Sequence, residues 1–418
     1  MPRLPAINGS DTAWLLVATA LVLMMTPALG FFYGGMVRAK NALNTLMMSF
    51  SALGFVGLAW AFFGYSLAFG HGSSWLGGSE YFFLRNVGLE ANGTIPHILF
   101  FAYQGTFAII TAALISGAIV ERMRFGAYIA FITLWSLLVY APVAHWVWGG
   151  GWLGKLGALD FAGGTVVHIN AAAAALVCAV VVGSRKDYAR QAILPQNVPF
   201  TLLGAGLLWL GWFGFNGGSA LAANRTAALA FANTMLAPTA TLVVWTLLDL
   251  MRTKKATAIG AATGIVVGLV AVTPAAGFIS PIGAIMLGAI AAFPSYYALL
   301  FRATTRLDDS LDVVAAHGVG GVVGALLTGV LAQKSWNDAG SDGLILGNWK
   351  QLGIQAIAVL ATIVYSAVMT FIVVKLIALV TNVRADSREE GLGLDFTQHG
   401  EEAYSRGEGA ILVLDGRD

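Results

Sequence analysis

The feature that most constrains this chain is the recurrence of apolar runs too long for any soluble core. "AWLLVATALVLMMTPALGFFYGGMV" and "IQAIAVLATIVYSAVMTFIVVKLIALV" are two of them, and similar runs follow one another along nearly the whole length. A helix needs about 20 apolar residues to cross a hydrocarbon core. Only 11% of the 418 residues are charged, and 58% are hydrophobic. A soluble domain carries roughly 25% charged residues, so this chain cannot clothe itself in a water-solvated surface. It reads as an all-α polytopic membrane protein, resident in a cell membrane and surrounded by lipid. The basic residues are scattered singly and the formal net charge is +2, which gives no footing for nucleic acid. One cysteine, Cys178, rules out a disulfide framework within the chain and reads as packing. The N-terminal "MPRLPAINGSD" is polar, and the apolar run after it is too long for a cleaved signal.

The pattern predicts eleven spans, near 11–36, 44–70, 96–120, 126–148, 162–183, 198–216, 226–250, 257–272, 279–301, 311–331 and 353–381, with a polar tail from about 384. Taken alternately, one set of loops holds twelve basic residues: Arg38, Lys40, Arg122, Arg124, Arg185, Lys186, Arg190, Arg252, Lys254, Lys255, Arg302 and Arg306. The other set, with the N-terminus, holds six: Arg3, Arg85, Lys155, Arg225, Lys334 and Lys350. Cytoplasmic loops are the basic ones, so the N-terminus is expected outside. The tail, with Arg384, Arg388, Arg406 and Arg417, is expected inside.

An internal repeat organises the spans. "LDFAGGTVVH" places Asp160 eight residues before His168, and "DDSLDVVAAH" places Asp309 eight residues before His317. "GFFYGG" at 30–35 is echoed by "FGFNGG" at 213–218. The first member of each pair falls in spans one to five and the second in spans six to ten. Five is odd, so the halves insert with opposite topology and one further helix completes the domain. That design puts a substrate site between the halves near the membrane midplane. "GIVVG" at 264–268 and "GVVG" at 321–324 read as close helix contacts.

Polar side chains at bilayer depth are costly and face a protein interior or an aqueous cavity. His168 and His317, matched by the repeat and flanked by small residues, are expected to meet. A bis-histidine haem is disfavoured, because its helices would need a wider cleft; no cofactor or metal is expected. Phe107, Trp148, Trp212 and Phe215 form an aromatic set, with Tyr103 one turn before Phe107. Trp146 and Trp148 would be interfacial belt residues by default, yet Trp148 ends a span on the same side as Ser219. An indole face attracts a small cation with about 2 kcal/mol when desolvated. Asp160 reads first as a helix cap that can also shape a cation site, and Asp309 and Asp312 hold the equivalent place at the other end.

The chain resembles the ammonium transporter family (Amt/Mep/Rh), from "FFYGGMVRAKN" to "GLDFTQHGEEAYS"; "DFAGGTVVHINA", "WFGFNGGS" and "DVVAAHGVGG" are the most diagnostic stretches. The resemblance implies a homotrimer of eleven-span subunits, each with its own pore. It implies an outer recruitment site at Trp148 and Ser219, lined by Phe107 and Tyr103, and a gate of stacked Phe107 and Phe215. His168 and His317 would be twin lumen histidines with Trp212 beside them, and Asp160 a structural aspartate. The Trp148–Ser219 pair points to the Amt branch. The substrate expected is ammonium or ammonia, with methylammonium as analogue. Two domains are expected: a membrane domain over 1–383 and a cytoplasmic regulatory tail over 384–418; the resemblance also implies a PII-type signal protein as a partner at the cytoplasmic face. A fused enzymatic domain after Asp418 is not expected. The alternatives are an ammonium sensor with little flux, other channel classes and a membrane enzyme. No aquaporin-like or potassium-filter motif is present in the sequence, and no convergent catalytic set beyond the two histidines.

Overall fold

The computed structural model describes residues 7–404. Arg3, Arg406, Arg417 and the end of the tail lie outside the described residues. The chain is a bundle of long helices: α1 Gly9–Met36, α2 Ala39–Phe69, α3 His97–Ala118, α4 Phe125–Leu156, α5 Gly164–Val182, α6 Val198–Gly218 and α7 Arg225–Thr253, then α8 Ala258–Val272, α9 Pro281–Arg302, α10 Val314–Leu331 and α11 Trp349–Ala378. Ten of these are long and apolar enough to cross a membrane; α8, with 15 residues, is not. At 1.5 Å per residue α8 spans only about 23 Å. It stops at Pro274, after which turns run to Ser280 and the chain stays buried from Val266 to Ile279. A helix so enclosed by protein does not need to match the bilayer alone. The other boundaries shift by a few residues, the largest shifts being at α4, which runs on past an interruption at Gly149–Gly151 to Leu156 rather than ending near 148, and at α2, which starts at Ala39 rather than near 44. A two-stranded ribbon, Ala91–Asn92 with Ile95–Pro96, closes the loop before α3.

Glycine sets the closest approach between the two halves. α1 packs along α6, where Gly204, Gly211 and Gly214 face Phe32, Met25 and Ala18. A Cβ at Gly214 would stand 2.8 Å from the Ala18 carbonyl oxygen, so only glycine fits there. In lipid, where apolar burial drives little association, such backbone contact is what holds helices together. The "GIVVG" and "GVVG" glycines act in the same way: Gly264 and Gly268 lie on Trp245 and Pro238, and Gly324 on the Ala271 carbonyl.

The halves echo each other in backbone as well as sequence. Gly164–Ile169 at the start of α5 and Val314–Val319 at the start of α10 are both π-helical, and each carries its histidine. One extra residue per turn widens the helix and rotates side chains; such bulges concentrate at functional sites.

The loops that the sequence groups as basic do gather at one end of the bundle. Glu121 pairs with Arg38 and Arg185, Arg185 with Asp308, and Arg38 with Asp187, at 2.8–2.9 Å. Arg122 is fully buried, and its guanidinium donates to the carbonyls of Ala118, Val120, Gly183 and Asp308 and to Ser310 Oγ. The tail binds this end. Met123 and Arg384 form a β-bridge, and the short helices α12 Ser387–Leu392 and α13 Leu394–His399 follow. Asp395 accepts the backbone N–H groups of Leu43 and Asn44 at the start of α2, and Glu389 pairs with Arg124.

Candidate functional site

The site grows from the segment Asp160–His168. Gly163, at φ +114°, takes a left-handed conformation that turns the chain into α5. The turn points the free backbone N–H groups of Gly163, Gly164, Thr165 and Val166 at the Asp160 carboxylate, which also accepts from the Thr165 hydroxyl. An anion at a helix start satisfies donors that have no intrahelical partner. The same residue serves the neighbouring span. Its backbone carbonyl accepts the Trp148 indole N–H at 2.9 Å and so fixes that ring. Asp160 is therefore a cap and a site-shaping residue at once.

Trp148 stands where α4 is interrupted, before Gly149–Gly151. It walls a cavity of about 330 Å³ together with Phe69, Phe100, Gln104, Phe107, Val147, Phe161, Ser219 and Leu221. Ser219 caps the end of α6. Its hydroxyl donates to the Phe215 carbonyl at 2.8 Å, so its lone pairs remain as acceptors. The cavity thus offers aromatic faces and acceptors, and no cationic side chain lines it.

Beneath the cavity an aromatic column continues. Phe107 meets Trp148 edge-on with ring centroids 6.0 Å apart, and stacks on Phe215 at 4.2 Å. Phe215 is followed by His168 at 6.1 Å, and His168 by His317 at 5.3 Å, both stacked. Trp212 stacks on His168 at 5.4 Å, while its indole N–H donates to Thr273 Oγ1 at 2.9 Å. Every ring below Trp148 in this column is buried. The Nδ1 atoms of His168 and His317 lie 3.2 Å apart. One N–H···N bond holds one proton, so one ring donates and the other accepts. His168 Nε2 is buried with no hydrogen-bond partner among the described residues.

The structure thus brings together Trp148, Ser219, Phe107, Phe215, Trp212, His168 and His317, with Asp160 beneath Trp148. Two expectations are corrected. Tyr103 is fully buried and stands behind the cavity wall: its hydroxyl lies 3.0 Å from the carbonyls of Gly214 and Phe215 and 3.3 Å from Ser219 Oγ, bracing Ser219. Trp146, expected at the interfacial belt, is buried and donates its indole N–H to the Trp75 carbonyl. Asp309 lies at the far end, before α10, accepting the Val314 N–H at 2.7 Å. Sequence reasoning missed Gln104, Phe161, Leu221, Phe69 and Phe100 as cavity walls. Gln104, a polar residue within a span and next to Tyr103, was the one of these with a readable signal.

Comparison with known proteins gives the family. The model of the Ammonium Transporter Family matches residues 13–404. An ammonium transporter of Bacillus subtilis is 48% identical over 398 residues, covering 94% of this chain and 98% of that protein. The crystal structure of Saccharomyces cerevisiae Mep2 superposes with a TM-score of 0.83 at 36% identity, over 88% of this chain and 87% of that one. A protein described as a sensor Amt superposes with a TM-score of 0.86 at 30% identity, over 93% and 98%. With the family model covering nearly the whole chain and ten membrane-length helices beneath it, this chain is a multi-pass membrane protein, a channel or transporter rather than an enzyme, and it belongs to the ammonium transporter family.

Proposed function

We propose that the chain carries ammonium across the membrane by parting it from its proton. The observation that supports this best is the dry aromatic column ending on two imidazoles that share one proton. Ammonium and potassium are alike in size and charge, so a bare cation hole separates them poorly. Moving an unpaired cation into a low-dielectric interior costs tens of kcal/mol by Born estimates. Ammonium escapes by deprotonation, and desolvation favours its neutral form. Potassium has no such route.

In this reading Trp148, Phe107 and Ser219 recruit ammonium from outside, and Tyr103 acts by holding Ser219. Phe107 and Phe215 gate the lumen. Ammonia passes Trp212, His168 and His317, and His168 Nε2 is free to bond it. A proton arriving at the bare Nε2 of one histidine shifts the shared proton across the Nδ1–Nδ1 bond, and the Nε2 proton of the other histidine leaves. Both rings end neutral with tautomers exchanged. Asp160 caps the helix start at the outer mouth, and Asp309 holds the matching place at the inner one.

The matched π-helical segments support an inverted repeat of five helices each plus α11, eleven spans in all when α8 is included. The gathering of basic loops with the tail supports an N-terminus outside and a cytoplasmic C-terminus. The membrane domain is 1–383 and the tail 384–418; the tail's contacts to α2 and α4 suit a regulatory element. A homotrimer and a PII-type partner follow from the family resemblance, and the mass of the purified complex checks the first. A sensor with little flux is the second reading, favoured by the sensor Amt neighbour. Uptake of labelled methylammonium by cells decides between them: sustained accumulation supports transport, and binding without accumulation supports the sensor. Currents evoked by an ammonium pulse on proteoliposomes report whether the proton travels with the ammonia.

A further inference from the structure

The two repeat-related aspartates are bonded very differently. The Asp160 carboxylate accepts from four backbone N–H groups and one hydroxyl. Both of its oxygens are thus engaged. Asp309 sits at the same eight-residue offset from its histidine and has no solvent exposure. Its Oδ2 accepts the Val314 N–H, but its Oδ1 is buried with no partner among the described residues. A buried carboxylate oxygen left bare is costly, and protonation lowers the cost by removing the charge. Next to it, Asp312 takes a left-handed backbone conformation at φ +58° and lies 2.6 Å from Arg302 Nε, with its side chain 22% exposed. Asp309 is wholly enclosed, whereas Asp312 is partly exposed although its own Oδ1 is also buried. His317 is five residues beyond Asp312, roughly 7 Å along the same segment at 1.5 Å per residue.

We propose that Asp309 and Asp312 are the inner proton station of the pathway, the groups that take the proton coming from His317 and deliver it to the inner solution. This rests on the histidine relay proposed above. The step is a plain proton transfer: the His317 imidazolium gives its Nε2 proton to a carboxylate and becomes neutral. The carboxylic acid then protonates ammonia, giving ammonium and a carboxylate, or releases the proton to water. The gradient of exposure from Asp309 to Asp312 sets the direction.

The surrounding charges suit one proton on the pair. Arg302 faces Asp312 directly, and Arg122 and Arg185 act from the neighbouring loops. Arg185 is already occupied by Asp308 and Glu121. Tyr33 of α1 and Tyr128 of α4 are the other titratable groups nearby, and Tyr188 stands on Arg302. Burial raises Asp312 to about 7 against the pull of Arg302, and burial also raises Asp309.

Ammonium-evoked current on proteoliposomes, recorded against the pH of the compartment facing the tail, tests this. In the wild-type protein the current should change with an inflection near pH 7. Asp312→Asn should remove the inflection and lower the current at least tenfold; Asp312→Glu should restore the current with the inflection displaced. Asp309→Asn should behave as Asp312→Asn. Should it not assemble, the partly exposed Asp312 carries the test, with thermal unfolding as the folding control. Wild-type current and pH profile in Asp312→Asn, alongside an inactive His168→Ala/His317→Ala protein, would overturn the station and leave the relay intact. An active double-histidine variant overturns both.

Discussion

The two ends of the proposed pathway are built on opposite principles. The outer mouth is an open cavity of about 330 Å³, walled by rings and a hydroxyl, whose one anion, Asp160, is spent on backbone donors. The inner end is a dry lattice of charges in which Glu121, Asp308, Arg185 and Arg122 are almost wholly buried. A cation that must arrive and leave again is better met by weak π faces than by a full counter-charge, which would hold it. The buried ion pairs beside the inner exit instead tie the loops to one another, and Arg124–Glu389 ties the tail to them. Recognition and anchoring are thus separated along the membrane normal.

Mutations can break this contrast. The largest effect is expected at the inner lattice. Glu121→Ala leaves Arg185 without one of its two anions, and losing one partner of a buried pair costs about 3–5 kcal/mol. Thermal unfolding in detergent should show a large fall, whereas Trp148→Leu should leave the melting curve nearly unchanged. At the outer end, Asp160→Asn keeps one acceptor oxygen for five donors. It should cost about 2–3 kcal/mol of stability, judged by hydrogen bonds to a charged group, and should reduce methylammonium uptake because the π-helix carrying His168 loses its anchor. Trp148→Leu removes a cation–π face worth about 2 kcal/mol, so half-saturation for methylammonium should rise roughly thirtyfold. Ser219→Ala removes one acceptor, about 1 kcal/mol, and a roughly fivefold rise is expected.

Acid should also separate the two ends. Burial opposes the ionisation of Glu121, but Arg185 and Arg38 outweigh it and hold the carboxyl below its usual range. Asp308 is lowered in the same way, its burial overcome by Arg185 and Arg122. Groups depressed in the folded protein stabilise it above their unfolded pKa, and that stability is lost as pH falls through the folded value. The inner lattice should therefore loosen only below about pH 4, detectable as faster hydrogen exchange in the loops at 183–187 and 305–310 before the outer loops respond.

Much of this was legible in the sequence, and the limits have physical reasons. The histidines, Trp148, Phe107, Phe215 and Ser219 stood out because polar or paired aromatic residues in lipid-depth segments are rare enough to need an explanation. The eight-residue Asp–His offset marked the repeat because it recurs across long separation. Phe161, Leu221, Phe69 and Phe100 gave no signal: an apolar side chain facing a cavity has the same identity and helical spacing as one facing lipid or core. Tyr103 was placed in the site because it lies one turn from Phe107, but rotation about α3 turned its hydroxyl toward α6. Helix rotation is set by packing, here by Gly218, where a Cβ would stand 2.6 Å from the Tyr103 hydroxyl. The difference between Asp160 and Asp309 was likewise hidden, because it lies in which backbone N–H groups turn toward each carboxylate.

The central claim is that selectivity comes from deprotonation beside the paired imidazoles. The most direct test is the ratio of ammonium to potassium flux through the purified protein in liposomes, for wild type and for His168→Ala/His317→Ala. The account predicts strong preference for ammonium in the wild type, and in the double variant either no flux or a ratio collapsed toward one. A double variant that still conducts with the wild-type preference would contradict it.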